Sequence, residues 1–261
     1  MKCLDLFSGI GGFALGLEWA GMTTVAFCEQ DEFCRRVLAR HWPDVPCYPD
    51  VRYLAENGSA VDADVVCGGD PCPSRSKARG GRPSSHPDLA GYFLAVVGRV
   101  RPRWVVRENV FAPDALDFAA VLDMLGYEVA SVGFDSADFT AQSRRRQFLV
   151  GCPAGYRADF LGTLLDASSD VGFGSTGGDA KAPVASCLTA HPSRLAAEDN
   201  YCFEPGRGLR LLSAEECESL TGLPRGWTAG LALGRRRAMC GNAVTVPVVS
   251  NIGRAMMAAE A

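Results

Sequence analysis

Short apolar and β-branched runs alternate with amphipathic stretches through the first half of the chain. The runs stand at Cys3 to Leu6, Thr24 to Cys28, Val61 to Cys67, Trp104 to Arg107 and Val129 to Phe134, and Gln147 to Gly151 adds a further one. Between them, helical periodicity covers Phe13 to Ala20, Glu32 to Arg40, Leu89 to Val100 and Ala115 to Leu125. Parallel strands need a crossover connection, usually a helix, so this alternation predicts an α/β fold with a doubly wound, mostly parallel sheet. Ligands of such sheets sit beyond the carboxyl ends of the strands, which directs attention to the residues that follow each run. Asp166 to Lys181 breaks the pattern with Gly, Ser and Asp and predicts a loop or linker. Beyond it, Ser213-Ala-Glu-Glu216 has capping-box spacing and predicts a helix start, and Pro247 suits the first turn of a last helix.

Composition narrows the class. The chain has 261 residues, 48% apolar and 21% charged, with a formal charge of -4, enough to bury a core and too apolar for wholesale disorder. No apolar stretch approaches the roughly 20 residues of a membrane span, and the glycine-rich N-terminus does not read as a secretory signal. The expected location is therefore the cytoplasm. Eleven cysteines without an export signal are expected to stay as free thiols. His41, His86 and His191 lie far apart and no C-x-x-C pair occurs, so no metal is expected. The acidic balance gives no general argument for nucleic-acid binding, yet cations cluster at Arg75, Lys77, Arg79 and Arg82, at Arg144 to Arg146, and at Arg235 to Arg237.

Four clusters carry candidate chemistry. Asp5-Leu-Phe-Ser-Gly-Ile-Gly-Gly-Phe-Ala14 is a strand leading through a glycine-rich turn into a helix, where backbone N–H groups can meet a ligand. It fits a nucleotide fingerprint, with Gly9 and Gly11 in the turn and Glu29 at the end of the second run, where a carboxylate can bind ribose hydroxyls. The motif alone does not separate a nicotinamide cofactor from S-adenosylmethionine. In the second cluster, Gly68-Gly-Asp-Pro-Cys-Pro73, a cysteine stands between two prolines. A lone cysteine is usually a small buried hydrophobe, but Pro71 and Pro73 stiffen the chain around Cys72. The cations that follow favour the thiolate a nucleophile needs, while Asp70 opposes them. The third cluster ends a strand with Glu108 and Asn109, a buried structural acid or a proton donor facing the same cleft. The fourth, Gln142-Ser-Arg-Arg-Arg146, puts Arg144 and Arg146 on one side of an extended segment, as an anion or base clamp.

Together these clusters resemble the cytosine-5 DNA methyltransferases, in that family's order. DLFSGIGG is similar to its cofactor motif, Glu29 to the second, Asp50-Val51 to the third, GGDPCP to the nucleophile loop, ENV to the glutamate motif and QSRRR to the arginine motif. Arg210 to Pro224 resembles the ninth motif and Gly241-Asn-Ala-Val244 the tenth; only about Pro153 to Ala185 is unmatched. The resemblance implies a Rossmann-like fold, S-adenosylmethionine as cofactor and double-stranded DNA as partner, in a bacterial or phage-infected cell at the nucleoid. It implies that Cys72 attacks C6 of a flipped-out cytosine, that Glu108 binds the N3 and amino edge, that Arg146 contacts O2, and that Arg144 orients the site or a phosphate. For the cofactor it implies Phe7, Gly9, Gly11, Glu29, Asp50, Val51, Pro71, Leu89, Asn242 and Val244. Arg75, Lys77, Arg79 and Arg144 are the implied DNA contacts.

The sequence departs from the family at Pro73, where glutamine is usual, and at Asp70 and Arg107, where apolar residues are common. The expected organisation is a catalytic part, residues 1–151 with 238–261, and a reduced target-recognition part, residues 152–237. So little length for recognition implies a short target site, or an accessory subunit that supplies the missing surface. Three rivals share parts of the pattern: the same chemistry on tRNA, a catalytically silent DNA-binding homologue, and a nicotinamide oxidoreductase, which accounts for the first cluster alone.

Overall fold

A computed structural model describes residues 1–57, 61–71, 89–111, 114–170, 185, 187–188, 201–206 and 208–261, with backbone alone at 165–170. Seven strands, β1 (Lys2–Leu6), β2 (Thr23–Cys28), β3 (Cys47–Tyr48), β4 (Val65–Gly68), β5 (Trp104–Asn109), β6 (Glu128–Asp135) and β7 (Arg145–Cys152), form one sheet in the order β3-β2-β1-β4-β5-β7-β6. The first five are parallel. β7 runs antiparallel between β5 and β6. The chain from Asp135 to Arg145 is too short for a crossover helix, so β6 and β7 pair as a hairpin around a single helical turn, Ser136–Asp138.

Helices cover both faces because successive strand residues point to opposite sides. On one side Trp104 and Val106 pack with Phe13 and Leu17 of α1 (Gly12–Trp19), Phe160 and Leu164 of α6 (Arg157–Asp170), and Val249, Ile252 and Met256 of α9 (Val246–Ala259). On the other, Val66 and Val105 pack with Leu54 of α3 (Val51–Asn57), Phe93 and Val97 of α4 (Ala90–Val100), and Phe118 and Leu122 of α5 (Ala115–Met124). A third cluster joins Ile10 and Val37, the latter from α2 (Glu32–His41), to Cys217 of α7 (Ala214–Leu220) and Met239 of α8 (Leu233–Asn242). There the His41 ring stacks 3.5 Å from Trp227, whose Nε1 donates to the Ile10 carbonyl at 2.8 Å. A hairpin, β8 (Tyr201–Glu204) with β9 (Gly208–Leu211), precedes α7.

Most elements lie where the sequence pattern puts them, including the complete capping box of Ser213 and Glu216 and the proline in the first turn of α9. Two expectations are corrected. The run Val61 to Cys67 becomes a strand only at Val65, because Asp62 pairs with Lys2 Nζ at the surface and Asp64 accepts the Lys2 N–H. The loop expected from Asp166 begins inside α6, which, once started at Arg157, extends through Asp170. Cys152, Phe160 and Leu164 pack into the core beneath the main sheet, beside Trp104 and Ile252.

Among the described residues, no helix is long and apolar enough to cross a membrane. The contact between α1 and α9 is close because Gly16 has no side chain: a Cβ there would stand 2.7 Å from Val249 Cβ and 2.8 Å from the Val246 carbonyl oxygen. Gly16→Ala is therefore expected to lower unfolding stability by about 1–3 kcal/mol, the usual scale for overpacking. Urea denaturation measures this, and an unchanged midpoint would mean that the two helices separate freely.

Candidate active site

The strand order reverses between β1 and β4, which opens a crevice at their carboxyl ends. β1 enters it through the glycine-rich turn. Gly9 and Gly11 have φ of 55° and 84°, in the left-handed region that glycine adopts without strain, and Gly11 N donates to Ser8 O at 2.9 Å. α1 starts without a side-chain cap, so its first N–H groups remain available to a ligand. Glu29 reaches across from the end of β2, its two carboxylate oxygens accepting the N–H groups of Gly9 and Asp31 at 2.7 Å each. Burial raises its pKa, and these N–H donors oppose the rise. The space where a Gly9 side chain would stand is open.

The other expected cofactor residues differ in their surroundings. The Phe7 ring stacks on Phe93 with centroids 6.3 Å apart. Val244 returns to the turn from the far end of the chain, close enough that a Cβ on Gly12 would meet its Cγ1 at 2.9 Å. Val51 is buried, Leu89 is half-buried just before α4, and Pro71 and Asn242 are exposed. Asp50 pairs with Arg52, accepting from Nε at 2.9 Å and Nη2 at 2.6 Å, and that guanidinium holds its carboxyl below the usual carboxylate range.

Glu108 closes the crevice at the end of β5. Because β7 runs the opposite way, its beginning lies beside this end, with Asn109 opposite Gln147 and Glu108 opposite Phe148. Arg146 Nε comes within 3.1 Å of Glu108 Oε1. Burial raises the Glu108 pKa, against the pull of Arg144 and Arg146, so the carboxyl is disposed to hold a proton. Arg144 and Arg146 do share one side: their guanidinium groups lie 3.5 and 4.0 Å from Cys187 Sγ, while Arg145 between them is exposed and paired with Asp135. Arg144 is buried and donates to the Gly241 carbonyl at 3.1 Å. Its guanidinium therefore faces inward, against the wall of the site.

The chain leaves β4 directly over Glu108. A Cβ on Gly69 would stand 3.0 Å from Glu108 Oε2, three residues before Cys72. Cys72 itself, with Arg75, Lys77 and Arg79, lies outside the described residues. Burial pushes the Cys3 thiol up to about 12 and those of Cys47, Cys152 and Cys217 up to about 11, which makes them poor nucleophiles. Sequence reasoning missed Cys187, which carries no motif signal, and Trp42, whose ring fills the space beside Gly11.

The family model for C-5 cytosine-specific DNA methylase matches residues 1–169 and 186–258. The chain belongs to this family. The methylase is 28% identical over 308 residues to the type II methyltransferase M2.BsuMI of Bacillus subtilis (strain 168), covering 97% of this chain and 74% of that one. It is 27% identical over 296 residues to the type II methyltransferase M.NgoBI of Neisseria gonorrhoeae, covering 95% and 90%. Its fold is similar to that of a putative DNA modification methyltransferase encoded within an Escherichia coli prophage, with a TM-score of 0.73, 16% identity and 98% of each chain covered. A Spodoptera frugiperda DNMT2 variant gives a TM-score of 0.74 at 13% identity, over 98% of this chain and 99% of the other.

The contact between Gly69 and Glu108 provides a test of the geometry. In the methylase, Gly69→Ala is expected to push the Glu108 carboxylate aside by a fraction of an ångström and slow methyl transfer by about threefold to tenfold, less than the roughly hundredfold of a full ångström's misplacement. Single-turnover kinetics would show it, and an unchanged rate would mean that the carboxylate position is not critical.

Proposed function

We propose that the protein methylates C5 of a cytosine flipped out of duplex DNA, with Cys72 as the covalent nucleophile. The observation that carries this reading is the meeting of Glu108, Arg144 and Arg146 under the backbone of Gly69, at the root of the segment bearing Cys72. A target atom inside the base stack is out of reach, so the base has to leave the duplex. The Cys72 thiolate bonds to C6, and the C5–C6 π electrons move into the ring. Glu108, protonated in its buried position, donates to N3, and Arg146 holds O2. C5 is then nucleophilic and takes the methyl group as that group's bond to the donor sulfur breaks, with the bonding electrons left on sulfur. Transfer of the C5 proton to water returns the electron pair to the C5–C6 bond, expels Cys72 as the thiolate and sends the N3 proton back to Glu108.

S-adenosylmethionine supplies an electrophilic methyl group when bound. The residues suit it: Gly9 leaves open space at the start of α1, Glu29 stands where ribose hydroxyls would replace the Gly9 N–H, and Phe7 offers an aromatic wall. Val51, Pro71, Leu89, Asn242 and Val244 are proposed to line the rest. Asp50 would have to part from the exposed Arg52 to receive an adenine amino group. Arg75, Lys77 and Arg79 are proposed to bind DNA phosphates, and the type II relatives point to a role in restriction and modification.

Duplex DNA carrying 5-fluorocytosine should trap the protein in a denaturant-resistant adduct when S-adenosylmethionine is present, and Cys72→Ala should abolish it. An adduct that survives the substitution would move the nucleophile to another thiol, with Cys187 beside the two arginines as the first to examine.

The raised pKa of Glu108 sets the direction of the pH dependence. The protonated acid is populated below its pKa, so methyl transfer is expected to fall as pH rises through it. Glu108→Gln should remove that limb and slow turnover by roughly two orders of magnitude. A loss under threefold would make the residue structural.

S-adenosylmethionine should raise the melting temperature by mass action, and Glu29→Ala should weaken the effect at equal ligand concentration. Stabilisation by NAD in its place would favour the oxidoreductase rival.

A further inference from the structure

Two of the three positions that set this sequence apart, Asp70 and Arg107, are the halves of one buried ion pair. Arg107 Nε donates to Asp70 Oδ1 at 2.6 Å and Nη2 to Asp70 Oδ2 at 2.8 Å, with the residues 2% and 4% exposed. The same Nη2 donates to Asp114 at 2.8 Å, and the guanidinium lies 4.2 Å from the centroid of the Phe118 ring. Asn109 Nδ2 makes a longer contact to Asp70 at 3.4 Å. Burial works against the Arg107 charge, but the two carboxylates outweigh it and raise its pKa, so the guanidinium stays charged.

The placement of this pair bears on the reaction. Gly68 pairs with Arg107 across β4 and β5, so the chain reaches Asp70 directly after leaving the sheet. Arg107 points to one face of β5, toward Phe118, and Glu108 to the other, toward Arg146. The fork therefore grips the chain one residue beyond Gly69, which itself rests on Glu108, and two residues before Cys72. A buried ion pair adds little stability over a well-packed apolar pair of similar volume. A bidentate guanidinium does add direction, since both of its bonds persist in only one relative orientation.

We propose that Asp70 and Arg107 form a positioning pair that sets the root of the nucleophile segment relative to Glu108, with Asp114 tying the same guanidinium to the start of α5. This rests on the reading that Cys72 is the nucleophile.

Three full-length variants test it, each measured for melting temperature, S-adenosylmethionine affinity and the single-turnover rate of adduct formation on 5-fluorocytosine duplex. Arg107→Lys keeps the charge but loses the fork. It should leave cofactor affinity within about twofold and slow adduct formation by about tenfold or more. Asp70→Leu combined with Arg107→Met removes both charges, which should restore the melting temperature lost in Arg107→Met alone, while adduct formation stays slow. A stable double variant whose rate lies within threefold of wild type would overturn the proposal, and so would an unslowed Arg107→Lys. Should the double variant fail to fold, Arg107→Lys alone decides. In parallel, Cys72→Ala distinguishes the two readings: an adduct that persists there overturns the nucleophile assignment, whereas loss of the adduct there with unslowed pair variants overturns the positioning role alone.

Discussion

The site depends on strand direction. Five parallel strands deliver their carboxyl ends to one edge of the sheet, which brings Gly9, Glu29, Asp70 and Glu108 together although they are spread over about a hundred residues. β7 lies antiparallel, so its beginning rather than its end reaches the same edge. That single reversal puts Arg144 and Arg146 beside Glu108 instead of at the opposite rim.

Within this edge, charge and burial act against each other. Burial raises the Glu108 pKa, and the two arginines lower the cost of its charge without cancelling that rise. Burial and the neighbouring Arg146 lower the Arg144 pKa against the pull of Glu108, and the guanidinium is held by the Gly241 carbonyl rather than by solvent.

The end of the chain completes the beginning. α8 and the residues after it bring Gly241 to Arg144 and Val244 to Gly12, and Trp227 caps the Ile10 carbonyl. Behind them Glu218 is wholly buried yet accepts from Gly226, Thr228 and Arg236, so its carboxylate stays below the usual range despite desolvation. The last third of the chain thus braces the glycine-rich turn.

The alternation of apolar runs with helical periods was enough to read the sheet, its helices and the motif order, because side-chain period reports directly on local backbone geometry. Short or atypical elements escaped it: β3 has only two residues, and α8 carries an arginine run that reads as a solvated face and starts without a side-chain cap. Type and order single out Cys72, Glu108 and the arginines as candidates, but do not show that Arg144 faces inward or that Cys187 touches both guanidinium groups. Asp70 and Arg107 show the division most clearly. In sequence they are two unrelated departures, one acidic and one basic, 37 residues apart. Whether such charges are separate costs or a single satisfied pair depends on the distance between them and the solvent around them, and only the pairing of β4 with β5 decides both.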